Sequence, residues 1–177
     1  MKLSICIIAK NEQNNIGACI QSIAPIADEI VLVDTGSTDN TILTAKGLGA
    51  NIFPFPFSGD LAEARNFSIE KARNDWVLIV DADERVAKED YNVIRSLIET
   101  DDVDGYRIIV RNYTYESSVE GWLPNDKIST QSMFIFQAFS HSIWLGSSEK
   151  APSSATKDSC MKPMKNLLLG KILFSQR

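Results

Sequence analysis

Apolar and polar residues alternate along residues 1–90 in blocks that predict strands and helices in turn. The runs at 3–9, 29–34 and 76–81 are almost entirely apolar, as in strands that a parallel sheet buries on both faces. A shorter run at 51–53 predicts one more strand. Because a helical pattern follows each of the first three strands, the order predicts right-handed crossovers and a doubly wound, mostly parallel α/β sheet.

Three helices are expected between these strands, each beginning near a residue that can cap it. In the first helix, apolar residues from Ile16 to Ile23 recur at helical spacing, and Pro25 ends the pattern. Asn, Ser, Thr and Asp side chains accept hydrogen bonds from the free N–H groups at a helix start. The expected capping residues are Asn14 or Asn15, then Ser37 or Thr38, and finally Asp60 in a capping box with Glu63.

Beyond the fourth strand the pattern changes. A helix is expected over 87–99, and the alternation over 105–113 is typical of an antiparallel strand with one exposed face. The run at 133–139 predicts a further strand. Ser, Lys and Pro then dominate, as in flexible segments. We therefore expect one domain over 1–146 and a divergent, flexible tail over 147–177.

Length and composition indicate one globular domain and limit its partners. A chain of 177 residues can form one well-buried core but is short for two. Its apolar content of 44% and charged content of 23% are ordinary for a soluble protein. The net charge of -5 and the lack of a Lys/Arg run argue against a nucleic-acid partner. A phosphate-bearing ligand would need local help from a metal or from helix N-termini.

The cysteines and the apolar segments indicate the cellular compartment of the protein. Cys6, Cys19 and Cys160 show no pairing pattern or metal spacing, which indicates reduced thiols in a cytoplasmic protein. The N-terminal run is too short for a signal peptide, and no stretch approaches the about 20 apolar residues of a membrane span. The apolar stretch 167–174 leaves three alternatives open: contact with a partner or the inner face of a membrane, a packed terminal helix, or a disordered end.

Acidic residues follow three of the predicted strands. Glu12 and Asp34 lie at the ends of the first two, and Asp81 and Asp83 follow the fourth. In a doubly wound sheet these strand ends share one edge, where ligands bind. If the chain stays extended, the Asp81 and Asp83 carboxylates lie within roughly 7 Å on one face. Such a pair suits one divalent cation that also holds phosphates, although a polar turn explains an isolated Asp-x-Asp equally well.

Four segments together give this chain a family resemblance. They are Ile-Ile-Ala-Lys-Asn-Glu at 7–12, Val-Asp-Thr-Gly-Ser-Thr-Asp at 33–39, Ala-Arg-Asn at 64–66, and Asp-Trp-Val-Leu-Ile-Val-Asp-Ala-Asp-Glu at 75–84. In this order and spacing they resemble the family 2 glycosyltransferases, which have the nucleotide-sugar-binding fold called GT-A. The Asp-Ala-Asp-Glu form is most similar to small bacterial members that glucosylate the lipopolysaccharide inner core, and to relatives that modify peptides.

The resemblance implies a site for the donor, a UDP-sugar. Asp34 would accept hydrogen bonds from the uracil or the ribose, and Glu12 and the backbone near Ala9 would shape the same nucleotide pocket. Asp81 would contact the ribose or a metal-bound water. Asp83 would ligate Mg²⁺ or Mn²⁺ bridging the diphosphate.

Two further residues complete the implied machinery. Arg65 would reach the donor's phosphate or sugar, although it could equally pair with Glu63 or Asp81 on a solvated face. A second carboxylate would deprotonate the acceptor hydroxyl, part of a glycan, lipid-linked or peptide acceptor, for a direct inverting displacement. Glu149 is the candidate base, but Met133 to Gln137 lacks the arginines that the family carries just before this acid.

Three rival functions remain. In the first, the chain is a remnant that binds the donor and transfers nothing. In the second, it is a haloacid-dehalogenase-like phosphatase, whose Asp-x-Asp belongs on the first strand rather than on the fourth. The third, a sugar nucleotidyltransferase, lacks support because the Gly-rich loop expected after the first strand is absent.

Overall fold

The structure is a computed structural model that describes residues 1–99, 105–114, 136–147 and 173–176, with Tyr106 and Ile108 as the described side chains beyond residue 99. Strands and helices alternate from the N-terminus, as the apolar pattern predicts. The elements are β1 (Leu3–Ala9), α1 (Ile16–Ile23), β2 (Glu29–Asp34), α2 (Thr41–Gly47), β3 (Asn51–Pro54), α3 (Leu61–Lys71), β4 (Trp76–Asp81), β5 (Glu84–Val86), a short 3₁₀ helix (Lys88–Asp90), α4 (Tyr91–Leu97), β6 (Gly105–Thr114), β7 (Phe136–Ser147) and β8 (Leu173–Gln176).

The described strands form one sheet with a parallel half and a mixed half. Their order is β3-β2-β1-β4-β7-β6-β8-β5. In the first half β1 lies between β2 and β4, and neighbouring strands are parallel. In the second half β7 pairs antiparallel with both β4 and β6, and β8 pairs parallel with β6 and antiparallel with β5. The expected mostly parallel sheet with an antiparallel extension is confirmed.

The parallel half is buried on both faces by alternate side chains of the same strands. On one face Ile5 and Ile7 of β1 pack in a cluster with Ile20 of α1 and with residues of α4. On the other face Cys6 of β1 packs in a smaller cluster with Ile69 of α3. Each strand therefore contributes to two separate cores, which explains why its sequence is apolar throughout.

The crossovers fix where a ligand can enter. Helices α1 and α2 follow β1 and β2 and belong to the first core, whereas α3 returns the chain from β3 to β4 across the other face. The strand order therefore reverses between β1 and β4. In doubly wound sheets the crevice outside the carboxyl ends of the strands at such a reversal is where ligands bind.

Four local predictions differ from the structure. Asn15 lies at the start of α1, but its side chain accepts no hydrogen bond from the N–H groups of the helix. The helix expected over 87–99 is a 3₁₀ turn followed by the shorter α4, and the strand β5 that precedes it was not predicted. Helix α2 begins at Thr41 rather than at Ser37 or Thr38, and the Asp39 side chain accepts the Thr41 N–H. In α3 the Asp60 cap is confirmed, but Glu63 bonds the Ser58 hydroxyl, so the capping box is only half formed.

Two of the three cysteines are structural, as expected. Cys6 and Cys19 are free thiols with no exposed surface. Burial raises the pKa of each to about 12, so both stay protonated at neutral pH. Cys160 lies outside the described residues.

The C-terminal segment is described only in part. Strand β8 falls within 147–177 and joins the mixed half of the sheet. The rest of that segment, including Glu149 and most of the apolar stretch 167–174, lies outside the described residues. None of the described helices combines the length and apolar character needed to cross a membrane.

Candidate functional site

Two of the predicted acids border the carboxyl end of β1 from either side. In the sheet register Asp34 of β2 pairs with Ala9, and Asp81 of β4 pairs with Ile8. Alternation along the strands places Asp34 on the face of α1 and Asp81 on the face of α3. Both acids therefore flank the crevice at the reversal of strand order.

Asp34 is the more enclosed of the two. Its side chain is 6% exposed, and its carboxylate accepts the backbone N–H groups of Gly36 (3.1 Å) and Ser37 (3.1 and 3.2 Å). Gly36 has φ +103°, a conformation that a side chain would strain. The turn after β2 thus holds the carboxylate in one orientation. A carboxylate offers about four acceptor positions, so capacity for a ligand donor remains.

Ala9 and Glu12 contribute to the same edge in different ways. The Ala9 carbonyl already accepts both the N–H (3.0 Å) and the hydroxyl (3.3 Å) of Thr35. With both lone pairs engaged, Ala9 contributes shape rather than a free acceptor. The Glu12 carboxylate accepts a hydrogen bond from the Asn15 amide at 2.9 Å. Glu12 is half-buried, between the crevice and the start of α1.

Arg65 of α3 reaches Asp81. A guanidinium nitrogen lies 3.5 Å from the Asp81 Oδ1 atom, and the two side chains are 11% and 33% exposed. Asp81 points to the α3 face because it follows Val77 and Ile79 at strand spacing. Arg65 therefore pairs with Asp81, as one of the two sequence-based alternatives expected. Its side chain is largely buried, however, and does not lie on a solvated face.

The segment from Asp81 to Asp83 is a turn. Strand β4 ends at Asp81, so the extended arrangement assumed for the two carboxylates is wrong. Two buried side chains hold the Asp81 backbone: a Glu84 carboxylate oxygen accepts its N–H at 2.7 Å, and the Cys19 thiol lies 3.6 Å from its carbonyl oxygen. Sequence reasoning missed Glu84, which is 1% exposed. The sequence signal that could have identified Glu84 is its position directly after Asp-Ala-Asp.

The acidic side chains suit a cation that binds together with a phosphate-bearing ligand. Within the described residues no three His, Cys, Asp or Glu side chains are arranged to hold a metal ion. Asp81 and Asp83, both partly exposed, supply two carboxylates on one turn. Mg²⁺ is commonly bound by one or two carboxylates together with substrate phosphates and water. The residues present therefore fit a metal bound jointly with a diphosphate.

The sheet and its crevice place the chain in the class of doubly wound α/β domains, which bind ligands beyond the carboxyl ends of their strands. The sequence model of glycosyl transferase family 2 matches residues 4–155, and the chain belongs to this family. The expected GT-A fold is confirmed.

Sequence relatives agree with this assignment, and a solved structure shares the fold. The chain is 38% identical over 105 residues to an uncharacterized glycosyltransferase of Rickettsia bellii, covering 59% of this chain and 35% of that protein. It is 33% identical over 118 residues to the lipopolysaccharide core biosynthesis glycosyltransferase LpsC of Rhizobium meliloti, covering 64% and 43%. The crystal structure of S. aureus TarS in complex with UDP-GlcNAc superposes with a TM-score of 0.58 at 23% identity, covering 68% of this chain and 38% of that one. The chain spans less than half the length of each of these proteins.

Proposed function

We propose that this chain binds a UDP-sugar and transfers the sugar to a hydroxyl acceptor with inversion. The observation that supports this most directly is the register that puts Asp34 and Asp81 on either side of the end of β1. Family membership supplies the reaction class, and the crevice supplies a place for the donor. The same membership removes the ground for the phosphatase and nucleotidyltransferase alternatives.

The nucleoside would lie against the loops after β1 and β2. Asp34, held by its own turn, would accept a hydrogen bond from the uracil or the ribose. Glu12 and the backbone at Ala9 would shape the wall of this pocket. A carboxylate fixed before the ligand arrives loses little conformational freedom on binding, which favours affinity.

The diphosphate would lie toward β4 and α3. Asp81 would contact the ribose or a water, and Asp83 with Asp81 would hold Mg²⁺ or Mn²⁺. When bound, such a cation neutralises the charge that develops on the departing UDP. Arg65 has five N–H donors, so it can keep its contact with Asp81 and still donate to phosphate oxygens.

The proposal for the acceptor is based on Glu149 and on the name of one relative. Glu149 would take the proton from the acceptor hydroxyl as the sugar is transferred. LpsC bears the name of a lipopolysaccharide core glycosyltransferase, which favours a lipid-linked cell-envelope glycan over a peptide acceptor. Such an acceptor would place the protein in the cytoplasm at the inner face of the membrane.

The donor site is tested by Asp83→Asn, with Asp75→Asn as the matched control on an exposed residue before β4. Calorimetry measures UDP binding with and without Mn²⁺. We expect Asp83→Asn to weaken Mn²⁺-dependent UDP binding at least about tenfold, as loss of a metal-site residue does, and Asp75→Asn to leave it unchanged. Equal UDP affinity in wild type and Asp83→Asn would overturn the metal site.

Transfer is tested separately from binding. With UDP-sugars and lipopolysaccharide core acceptors, Glu149→Gln should abolish transfer while UDP binding stays at the wild-type level. A wild-type chain that binds UDP with Mn²⁺ but neither transfers nor hydrolyses any UDP-sugar would favour the donor-binding remnant instead.

A further inference from the structure

Hydrogen bonds join the two loops that border the candidate nucleotide pocket. We call residues 10–15 the β1 loop and residues 35–40 the β2 loop. Side chains from each loop bond the backbone of the other, so neither loop depends only on its own strand for its position. The contacts from the β1 loop are Asn11 to Ser37 and Thr38, Gln13 to Asp39 and Asn40, and the Glu12 N–H to the hydroxyl of Thr41 at the start of α2.

Asn11 makes the contacts nearest to the Asp34 turn. Its Oδ1 atom accepts the Thr38 N–H at 2.8 Å and the Thr38 hydroxyl at 3.3 Å. Its own N–H donates to the Ser37 hydroxyl oxygen at 3.0 Å. Within the part of the chain that the structure describes, Asn11 is the non-glycine residue with positive φ, at +56°. Asn and Asp tolerate this conformation better than other side chains do.

Ser37 connects this contact to the candidate ligand residue. Its hydroxyl faces Asn11, and its backbone N–H donates to the Asp34 carboxylate. A shift of residues 37 and 38 would therefore move the N–H group that orients Asp34. Asn11 reaches the nucleotide pocket through the β2 loop and needs no contact with the nucleotide.

We propose that Asn11 is a positioning residue for nucleoside binding, whose side chain holds the β2 loop so that the Asp34 carboxylate faces the pocket. The inference rests on the proposed function, since it assumes that Asp34 meets the uracil or ribose. The Gln13 and Asp39 contacts secure the far end of the β2 loop, next to α2, whereas Asn11 makes the contacts of the β1 loop with Ser37 and Thr38.

Two substitutions separate the effect of the side-chain acceptor on binding from the effect of the backbone conformation. Asn11→Gly permits the positive φ and removes the acceptor, whereas Asn11→Asp permits it and keeps the acceptor. Uridine and UDP are the probes, because uridine carries no phosphates that an added Asp charge could repel. Binding is measured by calorimetry and ligand-observed NMR, and the urea unfolding midpoint of each variant is measured without nucleotide.

We expect Asn11→Gly to weaken uridine and UDP binding by about tenfold, the equivalent of roughly one net hydrogen bond. Asn11→Asp should bind uridine with the affinity of the wild type. The unfolding midpoints of both variants should stay close to that of the wild type. The inference is overturned if Asn11→Gly binds uridine like the wild type, if Asn11→Asp binds uridine as weakly as Asn11→Gly, or if affinity falls only together with the unfolding midpoint. A wild-type chain that binds neither probe would refute the proposed function itself, and the positioning role with it.

Discussion

At the residue scale, the two acids at the ends of β2 have different tasks. Glu29, 9% exposed at the start of the strand, accepts hydrogen bonds from the Ser4 hydroxyl (2.7 Å) and from the Arg73 N–H and Nε atoms (2.9 and 2.7 Å). It thereby ties β1 and β2 to the loop before β4. Asp34, at the other end, lies at the crevice. Glu29 thus stabilises the fold, and Asp34 belongs to the candidate site.

The pKa of Glu29 gives a prediction about pH. Burial alone would raise this pKa, but the hydrogen bonds from Ser4 and Arg73 outweigh burial and lower it. A lowered folded-state pKa contributes stability above the unfolded value of about 4.3, and this stability is lost as pH falls through the folded value. Glu29→Gln should therefore cost about 1–2 kcal/mol in urea unfolding at pH 7. The exposed Arg73 side chain keeps the cost at the lower end of that range.

The cost of Glu29→Gln should shrink as the pH is lowered from 7 to 3, because the wild-type carboxyl takes up its proton progressively in the acid range. Glu70→Gln, on the solvent side of α3, is the control and should change stability little at either pH. If Glu29→Gln lowered the free energy of unfolding equally at pH 7 and pH 3, the ionised carboxylate would contribute nothing to stability.

At the element scale, α3 depends on its first turn and on small residues. Ala64 and Ser68 are fully buried, which allows the helix to approach the sheet closely. The Asp60 side chain accepts the Ala62 N–H at 2.7 Å and satisfies one of the free donors at the helix start. Because α3 also carries Arg65 toward Asp81, the position of the helix affects the candidate site.

Loss of the Asp60 cap should destabilise α3 measurably. We expect Asp60→Ala to lower the free energy of unfolding by about 1 kcal/mol, the usual effect of removing an N-cap. Asp60→Asn keeps the acceptor and should stay close to wild type. Urea unfolding followed by circular dichroism measures both variants, and equal losses in the two would contradict a capping role.

Helix starts also show where local sequence signals stop being sufficient. Asp60 was recognisable because Glu63 follows it at the spacing of a capping box. The start of α2 was misplaced because the Ser37 hydroxyl accepts the backbone N–H of Asn11 and the Thr38 hydroxyl donates to the Asn11 Oδ1 atom, so neither is available to cap the helix. These partners lie more than twenty residues away in the chain. Local pattern could not reveal this competition, nor the strand β5 whose partner is the C-terminal β8.

At the scale of the whole molecule, we expect the parallel half of the sheet to contribute most to stability, because it is buried on both faces. Leu78, in the middle of β4, has no exposed surface and belongs to the larger core. Leu43 on α2 is 71% exposed. The same substitution at these two positions therefore measures what burial contributes.

Leu78→Ala should lower the free energy of unfolding by about 2–5 kcal/mol, because it leaves a cavity in a close-packed core. Leu43→Ala should change it by no more than about 0.5 kcal/mol. Thermal and urea unfolding of the two variants give the comparison. Similar losses at both positions would mean that β4 does not occupy the centre of the sheet.

The sequence by itself determined the alternation of strands and helices over residues 1–90, the central strands and the acids that follow them. These features follow from residue type and short-range spacing. Tertiary structure decided where the acids lie, since the register of β1 with β2 and β4 puts Asp34 and Asp81 on either side of the carboxyl end of β1. It also decided that Arg65 contacts Asp81, that Glu84 supports the Asp81 turn and that Asn11 holds the loop after β2. Each of these contacts depends on the three-dimensional path of the backbone, which short-range spacing does not encode.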